Sequence, residues 1–358
     1  MATERGRRLI HDAEGLNTGS WPVPADQFLT PEDEFFTRSH APIPTIDPTH
    51  WRLEVGGLVR HPLSLSLTDL EQRFSRHEVT ATLVCAGLRR DELLSVAPLP
   101  GELPWGAEAA GTARWSGYAL RDLLERAGFT PSAQYVEFTG LDQAERDGKR
   151  FGFGGSIDLS KALGGEVVLA TGLNGAPLAP AHGFPLRAVV PGWIGARSVK
   201  WLGRITLREQ PSENYFQTKA YRVQRQVNGG DPRDVSAGVA LTQLVVNSVI
   251  LQPTREQVVS AGRIRVNGWA LGTEGRALSR VELSTDGGRT WSDVELDDYA
   301  EWSWTLWRAE TTLVPGTHLL MVRATDVRGD TQPQDVATTW NVKGYANNAW
   351  HRVTVTAK

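Results

Sequence analysis

Hydrophobic and polar positions alternate in short runs along most of the chain, a pattern typical of β-strands with one buried face. Between residues 51 and 232, we predict strands over 51–55, 79–85, 167–170, 186–190 and 201–207. Helical patterns interrupt them. Residues 119–127 have an apolar stripe of helical period that ends at Gly128, and Thr68 to Glu71 form a capping-box pattern that opens a short helix. This mixture predicts an α+β domain.

From residue 233 onward, short alternating runs follow one another without a convincing helical pattern. We predict strands over 243–251, 263–270, 279–284, 302–307, 318–324 and 338–342. The sequence Asp286-Gly287-Gly288 is a hairpin signal within this series. Short strands separated by turn signals predict an all-β sandwich of immunoglobulin type.

Proline and glycine positions divide the chain into three parts. Six prolines between residues 22 and 48 prevent long regular elements, so residues 1–50 are predicted to form an extended arm packed on the first domain. A polar connection at 212–240 contains Asn228-Gly229-Gly230-Asp231-Pro232, and we place the domain boundary there. The predicted parts are therefore 1–50, 51–232 and 233–358.

Composition narrows the class of protein. The 358 residues suit two domains, and a net charge of -3 gives no reason to expect a nucleic acid or membrane partner. No run approaches the roughly 20 apolar residues of a membrane span. Arg5, Arg7 and Arg8 are not followed by an apolar segment, so we expect a cytoplasmic protein, or a periplasmic one if an export signal lies outside this sequence.

The single cysteine is a candidate metal ligand. One cysteine excludes an intrachain disulfide, a multi-thiolate zinc site and an iron–sulfur cluster. A lone cysteine that ends an apolar strand is usually a small buried hydrophobe. However, Cys85-Ala86-Gly87-Leu88-Arg89-Arg90 places two guanidinium groups within five residues of the sulfur. Nearby cations favour the thiolate, which is the form that ligates metals.

Further basic residues stand beside glycines at predicted strand ends. These segments are Phe35-Phe36-Thr37-Arg38-Ser39-His40, His182-Gly183-Phe184-Pro185-Leu186-Arg187 and Gly195-Ala196-Arg197-Ser198-Val199-Lys200-Trp201. Basic groups where the backbone can approach closely suit a phosphate-bearing ligand. Because the chain has neither a Walker A sequence nor a dinucleotide-binding fingerprint, the phosphate would belong to another kind of cofactor.

Taken together and in this order, these segments resemble the sulfite oxidase family. Further matching segments are Thr112-Ala113-Arg114-Trp115, Asp286 to Trp291, Trp340-Asn341-Val342-Lys343-Gly344 and Asn348 to Val353. The resemblance extends from about residue 35 to the C-terminus. It implies a molybdopterin-binding domain followed by an immunoglobulin-like domain through which the family forms homodimers.

The resemblance also implies roles for individual residues. Cys85 falls at the cysteine that ligates molybdenum, and Arg38 and Tyr221 fall at catalytic positions. The implied substrate pocket consists of Arg38, Arg90, Trp105, Tyr221 and Lys343. The implied contacts to molybdopterin are Phe36, Thr37, Arg38, Ser39, His40, Cys85, Asp142, His182, Arg187, Ser198, Val199 and Lys200.

The implied activity is the molybdenum-dependent oxidation of sulfite to sulfate by oxygen-atom transfer. The electrons pass to an external acceptor, either a cytochrome or oxygen. Neither heme nor flavin is expected in this chain, which has no Cys-x-x-Cys-His sequence for covalent heme. Two positions depart from the family: Leu88 stands where asparagine is usual, and Lys343 stands in place of an oxyanion-binding arginine. Lysine keeps the charge but loses the planar two-pronged donor.

Two alternatives to this activity stay open. Another oxo-transfer reaction on the same cofactor would use the same basic residues, whether it is nitrate reduction, sulfoxide reduction or the oxidation of a sulfur-carrier intermediate. A non-catalytic binding protein, in which Cys85 is merely buried, would also have the same strand pattern, since a fold does not by itself specify a function.

Overall fold

The computed structural model describes residues 7–21, 23, 26–223 and 238–358. In the described residues before 224, the strands are β1 (Arg7–Ile10), β2 (Thr18–Trp21), β3 (Leu53–Gly57), β4 (Leu63–Leu65), β5 (Arg76–Val84), β6 (Ala110–Ala119), β7 (Tyr135–Gly140), β8 (Ala144–Arg146), β9 (Lys149–Phe151), β10 (Gly154–Asp158), β11 (Val168–Leu173), β12 (Ala176–Pro177), β13 (Arg187–Val189), β14 (Leu202–Arg208) and β15 (Arg222–Val223). The helices are α1 (Leu67–Arg73), α2 (Arg90–Leu93), α3 (Leu120–Ala127), α4 (Leu159–Ala162) and α5 (Tyr215–Thr218).

The described residues from 238 onward, called here the C-terminal domain, are almost entirely β. The strands are β16 (Val239–Ala240), β17 (Asn247–Gln252), β18 (Val258–Val259), β19 (Gly262–Leu271), β20 (Leu278–Ser284), β21 (Ser292–Asp293), β22 (Glu295–Leu296), β23 (Thr305–Leu313), β24 (Gly316–Asp326) and β25 (His351–Ala357). Two sheets, in the orders β17-β19-β23-β22 and β18-β25-β24-β20-β21, enclose a common apolar core. The predicted sandwich is confirmed.

Two sheets also form the first domain, which is defined here as the described residues 51–223. One has the order β10-β7-β14-β3-β4, in which only β14 and β3 run parallel. The other has the order β12-β11-β6-β5, and β13 also pairs with β11. A core between them buries Leu123 and Leu124 of α3 against Phe138, Leu169 and Ile205. The predicted α+β class is confirmed.

The described residues of the arm, between 7 and 50, do more than pack on a surface, because several of their side chains are buried in a core. Its strands β1 and β2 form a hairpin, and the backbones of Thr18 and Thr37 exchange hydrogen bonds of 2.8 and 3.1 Å. Phe35 packs edge-on against Trp115 of β6, with ring centroids 5.6 Å apart, and is buried in a second core. Trp304 of the C-terminal domain belongs to the same core, so this core is shared by the arm, the first domain and the C-terminal domain.

Local capping explains where the helices begin and end. The capping box of α1 uses Ser66 and Asp69 rather than Thr68 and Glu71, so the helix begins two residues earlier than predicted. Gly128 ends α3 in the left-handed conformation, as predicted.

The strand predicted over 338–342 is wrong. Residues Val336–Thr339 form a 3-10 helix that is capped by Asp335, whose side chain accepts a hydrogen bond from the Ala337 N–H. The segment that follows forms a loop against the first domain, and the last strand, β25, begins only at His351. Strand β23 begins at Thr305 rather than at Trp302, because Trp302 has a positive φ of 66°.

The C-terminal domain contacts the segment that follows Cys85. Arg89 is fully buried and forms two 2.7 Å contacts with the Glu92 carboxylate. The same guanidinium donates to Asn247 Oδ1 and to the Ala349 carbonyl of the C-terminal domain. The predicted domain boundary at 232–233 lies outside the described residues. No helix in the described ranges is long and apolar enough to cross a membrane.

Substitution of Arg89 with methionine is expected to destabilise the protein by roughly 3–5 kcal/mol, since it leaves the buried Glu92 carboxylate without its main counter-charge. Urea unfolding would measure the loss. Arg150→Met removes the exposed pair with Glu145 and should change the free energy of unfolding by less than about 1 kcal/mol. Equal losses in the two variants would contradict the role given to Arg89.

A pH dependence of stability follows from His351. Burial, with Arg89 second, lowers its pKa from 6.5 to about 3, and its Nδ1 accepts a hydrogen bond from the Ile250 N–H at 2.9 Å. Below pH 6.5 the unfolded chain takes up a proton at this residue and the folded chain does not, so stability falls as the pH falls from 6.5 towards 3.

The variant His351→Asn keeps an acceptor for Ile250 and removes the titrating group. Its melting temperature should therefore fall less steeply below pH 6.5 than that of the unchanged protein. His61→Asn, at an exposed bend, is the control and should leave the slope unchanged. A slope unaffected by His351→Asn would remove this residue from the acid response.

Candidate active site

Cys85 lies one residue beyond the end of β5, at the point where the chain turns. Its N–H donates to the Ala109 carbonyl at 2.9 Å, and the Gly87 N–H points at its sulfur at 3.4 Å. Gly87 is required here because a Cβ at this position would lie only 2.5 Å from the Arg90 guanidinium. The turn therefore leaves room for the Arg90 guanidinium against its backbone.

The sulfur faces a pocket between the arm and the first domain. The pocket has about 710 Å³ of empty space, part of it open to solvent. The arm contributes residues 35–40, which form one wall. The other lining residues used below are Cys85, Asp142, Phe153, His182, Arg187, Ser198, Lys200, Trp201 and Tyr221.

Three cations at this pocket have neutral oxygens as partners. Lys200 Nζ donates to Ser39 Oγ at 2.8 Å and to the Ala181 carbonyl at 2.9 Å. Arg187 donates to the carbonyls of His182 and Ser198, each at 3.0 Å. Among the described residues, neither these two nor Arg38 forms an ion pair with a carboxylate.

The electrostatic consequence is an excess of buried positive charge. Burial, followed by the charge of Arg187, lowers the pKa of Lys200 well below its usual value, and burial lowers the pKa of Arg187 to about 9. Asp142 is the acid of the lining, and burial raises its pKa. Buried charges are stable only when paired, so the pocket is built to receive an anion.

Two histidines in the pocket remain neutral at pH 7. Burial lowers the pKa of His182 to about 4, and its Nε2 lies 3.2 Å from the Glu32 carbonyl. Burial, then the charge of Arg38, lowers the pKa of His40 well below its usual value. Each neutral ring offers one donor and one acceptor rather than a further charge.

The contacts of His40 fix the direction of a hydrogen-bond chain. Arg38 Nη2 lies 3.3 Å from His40 Nδ1, and a guanidinium only donates, so Nδ1 is the acceptor. The proton is therefore on Nε2, which donates to Tyr221 Oη at 2.7 Å. The Tyr221 hydroxyl accepts from His40, and its own proton is free to point into the pocket.

Tyr221 is held firmly in this orientation. Burial raises its pKa to about 12, so it stays protonated and remains a donor at neutral pH. Its backbone has a positive φ of 52°, and its ring stacks on Tyr345 at 5.3 Å. Trp201 at the pocket and Arg89 behind it also have positive φ values. Backbone strain of this kind persists only where the surrounding structure enforces it, and such residues cluster at functional sites.

The structure brings most of the predicted site residues to one pocket. The predicted residues that line it are Phe36, Thr37, Arg38, Ser39, His40, Cys85, Asp142, His182, Arg187, Ser198, Lys200 and Tyr221. Val199 is instead buried in the core of the first domain. Trp105 is also fully buried and contacts the Phe36 ring, so it stands behind the wall rather than on it.

Arg90 and Lys343 lie beside the pocket without lining it. Arg90 Nε donates to the carbonyls of Lys343 and Gly344, and Nη1 donates to the Leu103 carbonyl at 2.8 Å. The Lys343 ammonium pairs with Glu102 at 2.9 Å. These two predicted substrate ligands are therefore engaged with other groups in this structure.

Sequence reasoning missed several residues that shape the site. Asn17 accepts hydrogen bonds from Arg38 Nη1 and from the Ser39 N–H, both at 2.9 Å. Phe153 stacks on His40 at 5.3 Å. Tyr345 approaches from the C-terminal domain. None belongs to a recognised segment, and only Tyr345, which directly follows Trp340 to Gly344, could have been identified by its position in the chain.

The donor set bears on what the pocket can hold. No group of three or more His, Cys, Asp or Glu residues able to bind a metal occurs within the described ranges. A metal at Cys85 must therefore bring its other ligands with it. A phosphate-bearing pterin with its own sulfur ligands fits both this single thiol and the unpaired cations.

Comparison with known proteins agrees with this fit. Residues 40–216 match the family described as "Oxidoreductase molybdopterin binding domain", and residues 239–358 match the "Mo-co oxidoreductase dimerisation domain". The chain is 42% identical to the sulfite oxidase of Gallus gallus over 339 residues, which cover 92% of this chain and 73% of that protein. It is 40% identical to the mitochondrial sulfite oxidase of Mus musculus, and there it covers 61% of the relative.

Two more distant similarities extend the picture. An inducible NADH nitrate reductase of Glycine max is 34% identical over 369 residues, which cover 94% of this chain and 40% of that protein. The crystal structure of the sulfane dehydrogenase SoxCD from Paracoccus pantotrophus has a TM-score of 0.81 at 24% identity, covering 96% of this chain and 86% of that one. The structural likeness shows a shared fold.

Substitution of Lys200 with methionine should change two properties in opposite directions. Burial and the charge of Arg187 disfavour the ammonium of Lys200, so the cofactor-free protein should become more stable when this group is removed. An anionic cofactor in this pocket would also lose a charged donor, so we expect molybdopterin to bind at least about tenfold more weakly. Thermal unfolding would report the first effect, and molybdenum and pterin content after dialysis the second.

The control is Lys161→Met. Unlike Lys200, Lys161 pairs closely with a carboxylate, that of Glu166, and it does not line the pocket. This variant should lose stability and keep its cofactor. A Lys200→Met protein that retains the cofactor as firmly as the unchanged chain would contradict the role of Lys200.

Proposed function

The chain belongs to the sulfite oxidase family of molybdopterin oxidoreductases, and on that premise we propose that it oxidises sulfite to sulfate at a molybdenum centre ligated by Cys85. The observation that carries the proposal is the pocket itself. One thiol opens into a space lined by three cations, Arg38, Arg187 and Lys200, which form no ion pair with a carboxylate among the described residues.

In this proposal, one set of pocket residues binds the cofactor and another set binds the substrate. His182, Arg187 and Lys200 hold the phosphate-bearing pterin, and Cys85 holds the metal. When bound, the molybdenum centre supplies the oxygen-atom transfer and accepts two electrons. Arg38 and Tyr221 face the same space from the arm and from the end of the first domain, and they would bind and orient the oxyanion.

Tyr221 is the proposed hydrogen-bond donor to the substrate. Its oxygen already accepts from His40, so its proton is available to an oxyanion oxygen. The pKa of about 12 keeps that proton in place across the neutral range. Preorganised donors in a buried site stabilise developing negative charge without having to reorganise.

The remaining predicted substrate residues, Trp105, Arg90 and Lys343, lie behind the residues that line the pocket. Trp105 supports Phe36 and so limits the width of the pocket. The Arg90 guanidinium lies over the Tyr345 ring, 5.3 Å from its centroid, and Tyr345 in turn stacks on Tyr221. Arg90 and Lys343 would bind an oxyanion only if they gave up the hydrogen bonds and ion pairs that they now form.

We propose further that molybdenum is the one redox group of this chain. The single cysteine cannot provide a Cys-x-x-Cys-His heme attachment. The electrons would then pass to an external acceptor, a cytochrome or oxygen. The match of residues 239–358 to a dimerisation domain supports a homodimer. A location in the cytoplasm, with the periplasm as the alternative, remains part of the proposal.

Nitrate reduction is the second candidate function. The similarity to the Glycine max nitrate reductase favours it, since buried cations around an oxyanion do not alone distinguish sulfite from nitrate. A direct comparison of the two reactions on the purified, molybdenum-loaded protein decides between them.

The test follows the reduction of an artificial one-electron acceptor by sulfite, and separately the reduction of nitrate by a reduced viologen dye. Sulfite should support turnover, and Cys85→Ser should abolish it, because the hydroxyl that replaces the thiolate is a poor ligand for a soft metal centre. Thr82→Ser, a control on the same strand that retains a hydroxyl, should keep the activity. Full sulfite oxidation by Cys85→Ser would refute the proposed role of the thiolate.

A further inference from the structure

A second charged cluster lies directly behind Tyr221, outside the residues that line the pocket. It consists of Arg90 and Glu102 from the first domain and Lys343 and Tyr345 from the C-terminal domain. Tyr345 stacks on Tyr221 at 5.3 Å with an angle of 14° between the rings. Arg90 lies over the Tyr345 ring, 5.3 Å from its centroid, so Tyr345 links the cluster to the pocket wall.

Glu102 is placed between the two cations of this cluster. Its Oε1 lies 2.9 Å from Lys343 Nζ, and its Oε2 lies 3.6 Å from Arg90 Nη2. The other N–H groups of Arg90 donate to carbonyls of Leu103, Lys343 and Gly344. The edge of the guanidinium that remains for an anion is thus the edge that Glu102 already faces.

The charge of Glu102 reaches the pocket wall. Burial is the main reason that the pKa values of Tyr221 and Tyr345 are raised, but the negative charge of Glu102 adds to both shifts and the charge of Arg90 opposes them. Because Glu102 and Arg90 are largely buried, water and salt screen these interactions only weakly.

We propose that Glu102 is a specificity-determining residue, whose carboxylate occupies the anion-binding edges of Arg90 and Lys343 and thereby weakens the binding of dianionic oxyanions such as the product sulfate. The inference rests on the proposed function, and it adds a residue that keeps the product from being held too tightly. Ionised Glu102 leaves the trio Arg90, Glu102 and Lys343 with one net positive charge, whereas a neutral side chain at 102 would leave two.

This arrangement discriminates by charge. Coulomb energy is proportional to the charge of the guest, so removal of the Glu102 charge favours a dianion by about twice the free energy by which it favours a monoanion. If the affinity for a monoanion rises by a certain factor, the affinity for a dianion should therefore rise by about the square of that factor. Sulfate and nitrate are suitable probes, because neither requires turnover.

The experiment uses the molybdenum-loaded protein and the variant Glu102→Gln, which keeps the shape of the side chain. Calorimetric titration with sulfate and with nitrate should give roughly tenfold tighter binding of sulfate and roughly threefold tighter binding of nitrate than in the unchanged protein. Glu166→Gln, which removes the carboxylate of the Lys161 pair away from the pocket, is the matched control and should change neither affinity.

Sulfate affinity that is unchanged or weaker in Glu102→Gln overturns the proposal, as does an equal gain for the two anions. Should that variant fail to fold or to load molybdenum, Glu102→Asp provides the same test, since its shorter side chain should draw back from Lys343 and tighten sulfate binding to a smaller extent. Inability of the unchanged protein to oxidise sulfite would refute the proposed function, while the sulfate titration would still report on Glu102 separately.

Discussion

The site depends on an excess of cations over carboxylates, because Arg38, Arg187 and Lys200 share the pocket with a single acid among the described residues, Asp142. Lys200 and Arg187 donate hydrogen bonds to serine and carbonyl oxygens, which satisfy the donors but do not neutralise the charge. Such an arrangement costs free energy in the cofactor-free protein. That cost is offset only when an anion binds in the pocket. The surrounding sheets must therefore be stable enough to hold these groups in place. Two cores lie on opposite faces of the sheet that contains β6 and provide that rigidity: one lies within the first domain, and the other is shared by the arm and both domains.

The C-terminal domain contributes to the site as well as to assembly. Its loop around residues 343–347 reaches the turn after Cys85, where the Ala346 N–H donates to the Ala86 carbonyl at 2.8 Å and Asn347 donates to the Arg89 carbonyl. A sandwich that only joined two subunits would not need these contacts. The loop instead places Tyr345 against Tyr221, so the orientation of a pocket residue depends on both domains.

The sequence predicted the elements whose patterns are local, and it failed where tertiary contacts decide. The alternation that ends at Cys85 correctly predicted β5, and Gly128 correctly marked the end of α3. Residues 338–342 alternate equally well, but Asp335 caps a 3-10 helix there. Among the site residues, cations beside glycines were conspicuous in the sequence. Asn17 was not, because its role is to accept hydrogen bonds from a segment some twenty residues away.

The positive backbone angles show why the arrangement needs two domains. Arg89 and Tyr221 each adopt a left-handed conformation that a side chain disfavours. Each is held by contacts from the C-terminal domain: Arg89 by Asn247 and the Ala349 carbonyl, and Tyr221 by Tyr345. The strain is thus opposed by packing between domains rather than within one. The orientation of Tyr221 therefore depends on the docked C-terminal domain, whereas Arg187 and Lys200 are held by contacts from the arm and the first domain.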